Sequence, residues 1–163
     1  MTAKNEKSQT KGTTRMTRIR RILCASNFSK TSGKALISAI DLAKANRARL
    51  TILQAYVPIV PLVPEQYIES STWERVDTET RRWAERQVEK LNEKARKRGV
   101  RASATMVTGD PAQQIVRMAR SKRADLIVVG THGRRGFSKF FLGSVAERVI
   151  ATASCPVMTV RGK

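Results

Sequence analysis

The sequence predicts an α/β protein, a single domain built on a doubly wound parallel sheet of five strands with helices on both faces. Short apolar runs of strand length alternate along the chain with longer segments of helical periodicity, and this alternation is typical of parallel sheets. The chain has 163 residues and is 40% apolar, which suffices for one hydrophobic core. No internal repeat interrupts the alternation, so a second domain is not required.

The first half of the chain is predicted to form two strands and two helices. An apolar run predicts a strand at residues 20–25, and an apolar face at helical spacing predicts a helix over about residues 32–46. Residues 50–57 form the second predicted strand, and Pro58 opens a connection that must be extended because proline fixes φ. A long helix is predicted over residues 71–98. Its inward side would carry Val76, Thr80, Trp83, Ala84, Val88, Leu91 and Ala95.

The second half continues the alternation with clear helix boundaries. Gly99 is a natural end for the long helix, since glycine adopts the left-handed conformation that closes many helices. Asp110 and Pro111 predict a helix start, with the carboxylate as N-cap and proline at the first helical position. The remaining elements are a strand at residues 100–107, a helix at 111–120, a strand at 125–129, a helix at 143–152 and a strand at 156–160.

A glycine-rich segment joins the fourth predicted strand to the fourth predicted helix. This order of strand, glycine-rich loop and helix start holds phosphates in many proteins, because glycine lets the backbone approach the ligand and the helix start supplies N–H donors. The residues concerned are Gly130, Gly133, Gly143 and Ser144, with Arg134, Arg135 and Lys139 between them as candidate contacts for a phosphate chain. A tight turn with solvated cations is the alternative interpretation.

The charge of the chain favours anionic partners. Lys and Arg total 32 against 13 Asp and Glu, a formal net charge of +19. Residues 1–17 are basic without apolar periodicity and are predicted to be a disordered tail, followed by a domain at residues 18–163. The tail lacks the apolar stretch of a secretory signal or a membrane span, which predicts a cytoplasmic protein with no membrane partner.

Few residues are candidates for catalysis or for binding a metal. Cys24 and Cys155 lie in or beside different strand candidates, which predicts reduced packing residues rather than a disulfide or a metal site. His132 is the single histidine and has no companions at metal-ligand spacing. The sequence therefore predicts no catalytic residue and no protein-bound metal, and at most a slow ATPase activity that would use His132.

Four stretches of the chain form a recognisable set of motifs. The glycines and the serine of the loop give the spacing G-x2-G-x9-G-[ST]. The flanking pieces are Gly109-Asp-Pro111, Ala124-Asp-Leu-Ile-Val-Val-Gly130, Gly143-Ser-Val-Ala-Glu-Arg-Val149 and Ser154-Cys-Pro-Val157. Over about residues 18–161, the chain resembles the universal stress protein family, the small α/β domains related to bacterial UspA-type proteins.

The resemblance implies a sheet in the order 3-2-1-4-5, a homodimer and, in members that carry the glycine motif, the binding of ATP with or without Mg. The homodimer would form through the last strand, residues 156–160, whose apolar edge needs covering. The resemblance places Gly130, Gly133, Gly143 and Ser144 along the phosphates and ribose, with Val145 close by and Ala55 facing the adenine. Arg134 from the loop and Asn27 after the first strand complete the candidate set.

One position departs from the pattern of the ATP-binding members. Those members have an aspartate after the first strand, whereas this chain has Asn27. The amide carbonyl of asparagine accepts a hydrogen bond from a ribose hydroxyl, but a neutral acceptor is weaker than a carboxylate. The sequence thus predicts a weakened nucleotide site rather than an abolished one.

Three functions are compatible with these features. The first is a nucleotide-binding module in stress response and regulation, which holds ATP on the loop from Gly130 to Ser144 and is recognised by other proteins. The second is a basic interaction protein that binds nucleic acid or a protein partner, with a weak or vestigial nucleotide loop. The third is a slow ATPase or nucleotide transferase.

Overall fold

The computed structural model describes residues 18–58, 70–131 and 143–162, which form a sheet flanked by helices. The strands are β1 Arg21–Ala25, β2 Arg49–Tyr56, β3 Arg101–Thr108, β4 Leu126–Gly130 and β5 Val157–Val160. The helices are α1 Lys30–Asn46, α2 Ser70–Lys97, α3 Pro111–Ser121 and α4 Ser144–Thr152. Strands and helices alternate as predicted, and every boundary lies within two residues of the predicted one.

The strands are parallel and lie in the order β3-β2-β1-β4-β5, which confirms the order that the family resemblance implies. β1 therefore lies between β2 and β4, with Cys24 opposite Ile52 on one side and Val128 on the other. The chain winds outward from β1 to β3 and then crosses back to place β4 on the free side of β1. Such a reversal leaves a crevice at the carboxyl ends of the two strands where it occurs.

Alternation along each strand divides the core into two clusters. In β1, Ile22 and Cys24 face the cluster on the side of α1 and α2, whereas Leu23 faces the cluster on the side of α3 and α4. Because helices cover both faces, the interior strands bury apolar side chains on both, and β4 is buried without a break from Leu126 to Val129. The predicted sheet with helices on both faces is therefore confirmed.

The start of α1 is set by a serine. The Ser29 side-chain oxygen accepts a hydrogen bond from the backbone N–H of Ser32 at 3.1 Å, so the helix begins at Lys30, slightly earlier than the apolar pattern predicts. The helix ends at Asn46, followed by Arg47 in the left-handed conformation with φ 53°. The cap anchors the N-terminus of α1 directly after the turn that follows β1.

The predicted inward side of α2 is wrong at two positions. Val76 and Trp83 are 38% and 41% exposed, whereas Ala84 and Ala95 are buried as predicted. The C-terminal part of α2, around Ala95, packs into the core cluster beside α1, while the part around Trp83 lies outside both clusters. The Trp83 ring packs edge-on against Phe28 instead, with 5.3 Å between the ring centroids.

Both cysteines are free thiols. Cys24 is buried in the cluster beside α1, and burial raises the pKa of its thiol to about 12. Cys155 is partly buried, and burial together with the charge of Asp125 raises its pKa as well. Because protonated thiols are poor nucleophiles and poor metal ligands, the environment of both residues suits packing. The prediction that they are unpaired is confirmed.

The predicted basic tail, residues 1–17, lies outside the described residues, so its disorder stays a prediction. Among the helices of the described ranges, none combines the length and the apolar character needed to cross a membrane.

Replacing Ile127 with alanine is expected to lower the free energy of unfolding by about 2–5 kcal/mol. The side chain is fully buried at the centre of β4, so its loss leaves a cavity between the sheet and the helices α3 and α4. Ile150→Ala is the matched control, because this side chain is 46% exposed on α4 and its loss should change stability by less than about 0.5 kcal/mol. Urea unfolding measures both variants, and equal losses would contradict the assignment of the core.

Candidate functional site

The carboxyl ends of β1 and β4 lie side by side where the winding of the sheet reverses. Because the two strands pair in parallel, Asn27, just after β1, and Gly130, the last residue of β4, reach the same edge of the sheet. Ser26 continues the sheet on the other side by donating its N–H to the Leu53 carbonyl of β2 at 2.8 Å. Ligands of doubly wound sheets bind at such a position, since the loops from neighbouring strands diverge there.

Asn27 lies exposed in the turn between β1 and α1. Its side-chain carbonyl accepts a hydrogen bond from the backbone N–H of Ser29 at 3.2 Å. The turn places Phe28 at a positive φ of 60°. Asparagine favours such turns because its side chain imitates the backbone of a turn. Asn27 is therefore at the predicted edge of the site, with its amide oriented by the turn.

Gly130 ends β4 in close contact with the first turn of α1. A Cβ atom at this position would lie 3.0 Å from the Thr31 Cγ2 atom and 3.2 Å from the Ser32 backbone nitrogen. Since real Cβ contacts are rarely so short, the absence of a side chain is what lets β4 and the N-terminus of α1 come together. The start of α1 thereby forms part of the wall of the crevice.

Helix α4 begins at the crevice without a side-chain cap. Gly143 is its N-cap, and no side-chain hydrogen bond caps it within the described residues, whereas Ser29 and Asp110 cap α1 and α3. Thr131, directly after β4, accepts the N–H of Gly143 and donates its own N–H to the Val160 carbonyl at 2.9 Å. A helix cannot satisfy its first-turn N–H groups by itself, and together with the macrodipole they favour an anion.

Ser144 and Val145 occupy the first turn of α4. Ser144 is exposed and presents its hydroxyl beside the helix start. Val145 packs its side chain against the core cluster beside α3, so its backbone N–H is the group it can offer to a ligand. Ala55 is half-buried near the carboxyl end of β2, opposite Val107 of β3. All of these positions lie on the edge of the sheet that carries Asn27.

An ion pair that the sequence analysis did not identify ties α3 to α4. Arg148 donates two hydrogen bonds to the Asp110 carboxylate, at 2.9 and 3.0 Å, and the same carboxylate accepts the Gln113 backbone N–H at 2.9 Å. The hydrogen bonds from Arg148 and from the Gln113 backbone hold the pKa of Asp110 below its usual range. The cap at Asp110 was predictable from the adjacent proline, but nothing in the sequence around Arg148 distinguishes it from a solvated helix residue.

Gly133 and Arg134 lie outside the described residues, together with His132, Arg135 and Lys139. Their roles at the phosphates therefore stay predictions. The other predicted site residues are brought to one edge of the sheet. They are Asn27, Ala55, Gly130, Gly143, Ser144 and Val145. Within the described ranges, no group of three or more His, Cys, Asp or Glu side chains is placed to hold a metal ion.

The groups that the structure places at this edge suit anion binding. A helix start, an amide and a hydroxyl exchange hydrogen bonds without titrating near neutral pH. Of the carboxylates described near this edge, Asp110 is paired with Arg148, and Asp77 accepts a hydrogen bond at 2.6 Å from the hydroxyl of Tyr56, the last residue of β2. General acid–base catalysis needs a positioned titratable group, whereas holding a phosphate needs donors in fixed positions. The described part of the crevice is therefore suited to binding.

Comparison with known proteins places the whole described fold in one family. A model described as the universal stress protein family matches residues 18–161. The universal stress protein YxiE of Bacillus subtilis is 34% identical over 145 residues, which cover 86% of this chain and 98% of that protein. A universal stress protein of Methanocaldococcus jannaschii is 35% identical over 144 residues, covering 87% and 82%.

Solved structures share the fold. The hypothetical protein MJ0577 of Methanocaldococcus jannaschii has a TM-score of 0.75 at 24% identity, covering 90% of this chain and 98% of that one. A universal stress protein in complex with cAMP has a TM-score of 0.65 at 24% identity, covering 88% and 98%. A family member from Arabidopsis thaliana with AMP bound has a TM-score of 0.58 at 22% identity, covering 88% and 92%.

Gly130→Ala is expected to lower the free energy of unfolding by about 1–3 kcal/mol, because the added methyl group presses on the backbone of α1. Gly33→Ala is the matched control. A Cβ at Gly33 would meet nothing within 4 Å, and alanine in a helix should raise stability by about 0.4–1 kcal/mol. Thermal unfolding compares the two variants, and a stabilised Gly130→Ala variant would contradict the close contact between β4 and α1.

Proposed function

Because the chain belongs to the universal stress protein family, we propose that it is a nucleotide-binding module that holds ATP in the crevice between β1 and β4 and acts in regulating a stress response. The observation that carries this proposal is the start of α4, which has a glycine as its N-cap and lies beside Gly130 where the winding reverses. The complexes of relatives with cAMP and AMP support an adenine nucleotide as the ligand.

The phosphates would bind at the N-terminus of α4. The N–H groups of Ser144 and Val145 are first-turn donors, and the Ser144 hydroxyl adds a side-chain donor. The N-cap Gly143 has φ −63° and ψ 143°, so its backbone is ordinary and its value at this position is the missing side chain. In this proposal Gly133 lets the preceding loop approach the phosphates, and Arg134 contributes charge to them.

The ribose and the adenine would lie toward β1 and β2. Asn27 supplies an amide oxygen as acceptor for a ribose hydroxyl, a role that is compatible with its bond to the Ser29 N–H because a carbonyl oxygen has two lone pairs. Ala55 supplies an apolar contact for the adenine, and Val107 beside it extends that surface on the same face of the sheet.

A magnesium ion would accompany the phosphates in this proposal rather than occupy a site of its own. Mg²⁺ prefers oxygen ligands and is commonly bound through one or two carboxylates together with substrate phosphates. Asn27 is neutral, the Asp110 carboxylate is held by Arg148, and the Asp77 carboxylate accepts a hydrogen bond from the Tyr56 hydroxyl. The residues described at this edge fit the nucleotide better than they fit the metal, so affinity should depend mainly on the phosphate donors.

The proposed module acts by binding rather than by chemistry, and it works as a cytoplasmic homodimer. β5 is at the edge of the sheet, and Val157, Met158 and Val160 along it are only partly buried. An apolar edge strand is normally covered, and pairing with a twofold copy of itself would cover this one. The bound nucleotide or the dimer would then be what other proteins recognise.

Gly143→Asp is expected to weaken ATP binding at least tenfold, as measured by calorimetric titration with Mg-ATP. Aspartate is a favourable N-cap, so the helix should still form, but its carboxylate would take the first-turn donors and repel the phosphates. The loss of about tenfold corresponds to roughly 1.4 kcal/mol of binding free energy.

Gly143→Asn is the control for this experiment, because asparagine caps a helix equally well without a charge. Its effect on ATP affinity should be clearly smaller than that of aspartate. The proposal is wrong if the unchanged protein does not bind Mg-ATP, or if the aspartate variant binds it as tightly as the unchanged protein.

Asn27→Asp is expected to tighten ATP binding about fivefold, since a hydrogen bond to a charged acceptor is stronger by about 1 kcal/mol than one to a neutral acceptor. The introduced carboxylate would still accept the hydrogen bond from the Ser29 N–H, so the turn should be retained. Asn46→Asp at the far end of α1 makes the same change of charge away from the crevice and should leave affinity unaltered. Equal affinities of the Asn27→Asp variant and the unchanged protein would contradict the placement of the ribose.

A further inference from the structure

The opposite edge of the sheet, at the amino ends of the strands, carries a cavity of about 580 Å³. We call it the amino-end cavity. Its polar and charged lining consists of Arg21, Arg49, Arg96, Arg101, Lys122, Thr51 and Ser103. Since it lies at the amino ends and the candidate nucleotide site lies at the carboxyl ends, the two sites are separated by the length of the strands.

Three of these arginines form a row across neighbouring strands. Arg21 of β1 pairs in register with Arg49 of β2, and Arg49 pairs in register with Arg101 of β3. Residues in register on parallel strands have side chains on the same face of the sheet. Because neighbouring strands are about 4.8 Å apart, the row spans roughly 10 Å. This spacing lets several anionic groups of one extended ligand be contacted at once.

Cations from two helices extend the row. Lys122 follows the end of α3, on the face of the sheet that carries the row, and Arg96 comes from the last turn of α2, on the opposite face. Both also line the cavity. Basic residues at helix ends complement the helix macrodipole, which accounts for Arg96 and Lys122 by themselves. It does not account for Arg49 and Arg101, because these residues lie on strands.

The positive charge of the cavity is only partly compensated. Arg21 is bound to Asp125 at 2.9 Å, and Arg101 donates to the Arg47 carbonyl at 3.0 Å. Within the described residues, no carboxylate forms an ion pair with Arg49, Arg96 or Lys122. Like charges placed this close repel one another, so an anionic ligand would relieve the repulsion.

The ligand that fits best is the backbone of a nucleic acid duplex. The cations of the lining come from three neighbouring strands and from the ends of two helices. Such an extended set of cations suits a polyanion better than a single small anion. Proteins that hold single strands stack bases on aromatic side chains, and the described lining of the cavity contains none. Contacts to the phosphates of a duplex are made largely by cations and need no aromatic side chain.

We propose that the amino-end cavity binds the phosphate backbone of double-stranded nucleic acid without sequence preference, through Arg49, Arg101, Arg96 and Lys122. Arg21, held by Asp125, completes the row and orients it. The interaction does not depend on ATP, because its residues lie at the other end of the sheet from Asn27 and Gly143. Failure of one proposal therefore leaves the other standing.

The test is the salt dependence of binding to a fluorescein-labelled DNA duplex of arbitrary sequence, followed by fluorescence anisotropy with the full chain. Affinity should fall linearly with salt on logarithmic axes. In Arg49→Ala/Lys122→Ala, the slope should be smaller by about two, and affinity should be lower on the order of 50-fold at about 0.1 M salt. Arg82→Ala/Arg86→Ala removes the same charge from an exposed middle part of α2 and should change affinity less than about threefold.

Each of several results would overturn the proposal. The first is that the unchanged protein does not bind the duplex. The second is that the cavity variant keeps the full salt slope, and the third is that the control variant loses as much affinity as the cavity variant. A polyglutamate chain of matched charge that displaces the duplex equally well would show a general polyanion surface and would also overturn it. Calorimetry with Mg-ATP and thermal unfolding should give the same values for the cavity variant and its control, which excludes a folding defect as the cause.

Discussion

The pairing of β1 with β4 is the contact on which the rest of the structure depends. It makes β1 the central strand of the sheet. Because successive side chains of β1 face opposite sides, Cys24 belongs to one core cluster and Leu23 to the other. Beyond this pairing, Gly130 has no side chain to press on Thr31, so the start of α1 packs closely against the end of β4. The crevice of the candidate site exists because the chain winds across the sheet in one direction after β1 and in the other direction after β4, so the loops that follow these two strands diverge.

The direction of winding also gives the two edges of the sheet different electrostatic character. Each helix begins near the carboxyl ends of the strands and finishes near their amino ends, so the positive ends of the helix macrodipoles lie toward the crevice. The side chains of Ser29 and Asp110 accept a hydrogen bond from a first-turn N–H group of α1 and of α3. Gly143, the N-cap of α4, has no side chain that could do the same. At the amino ends, the charge comes from side chains such as Arg49 and Arg101. One edge thus suits a small phosphate ligand, and the other suits an extended polyanion.

Most of the fold could be predicted because the patterns that define it are local. Alternating apolar runs gave every strand and helix, and Asp110 with Pro111 gave the start of α3 at the right residue. The failure at Trp83 has a physical cause. Periodicity identifies the residues that share a side of a helix, but it does not say how much of the helix length packs against the sheet. The core cluster contacts α2 near Ala95, and Trp83 lies beyond it.

The sequence by itself determined the elements, the helix starts and the glycine motif, because each depends on residues that are neighbours in the chain. The tertiary structure alone decided which distant residues meet. Asp110 and Arg148 are 38 residues apart and pair because α3 and α4 share one face of the sheet. Arg49 and Arg101 form part of one row because the register of parallel strands aligns them. No local pattern predicts such contacts, since they depend on the order and register of the strands, which the whole core stabilises together.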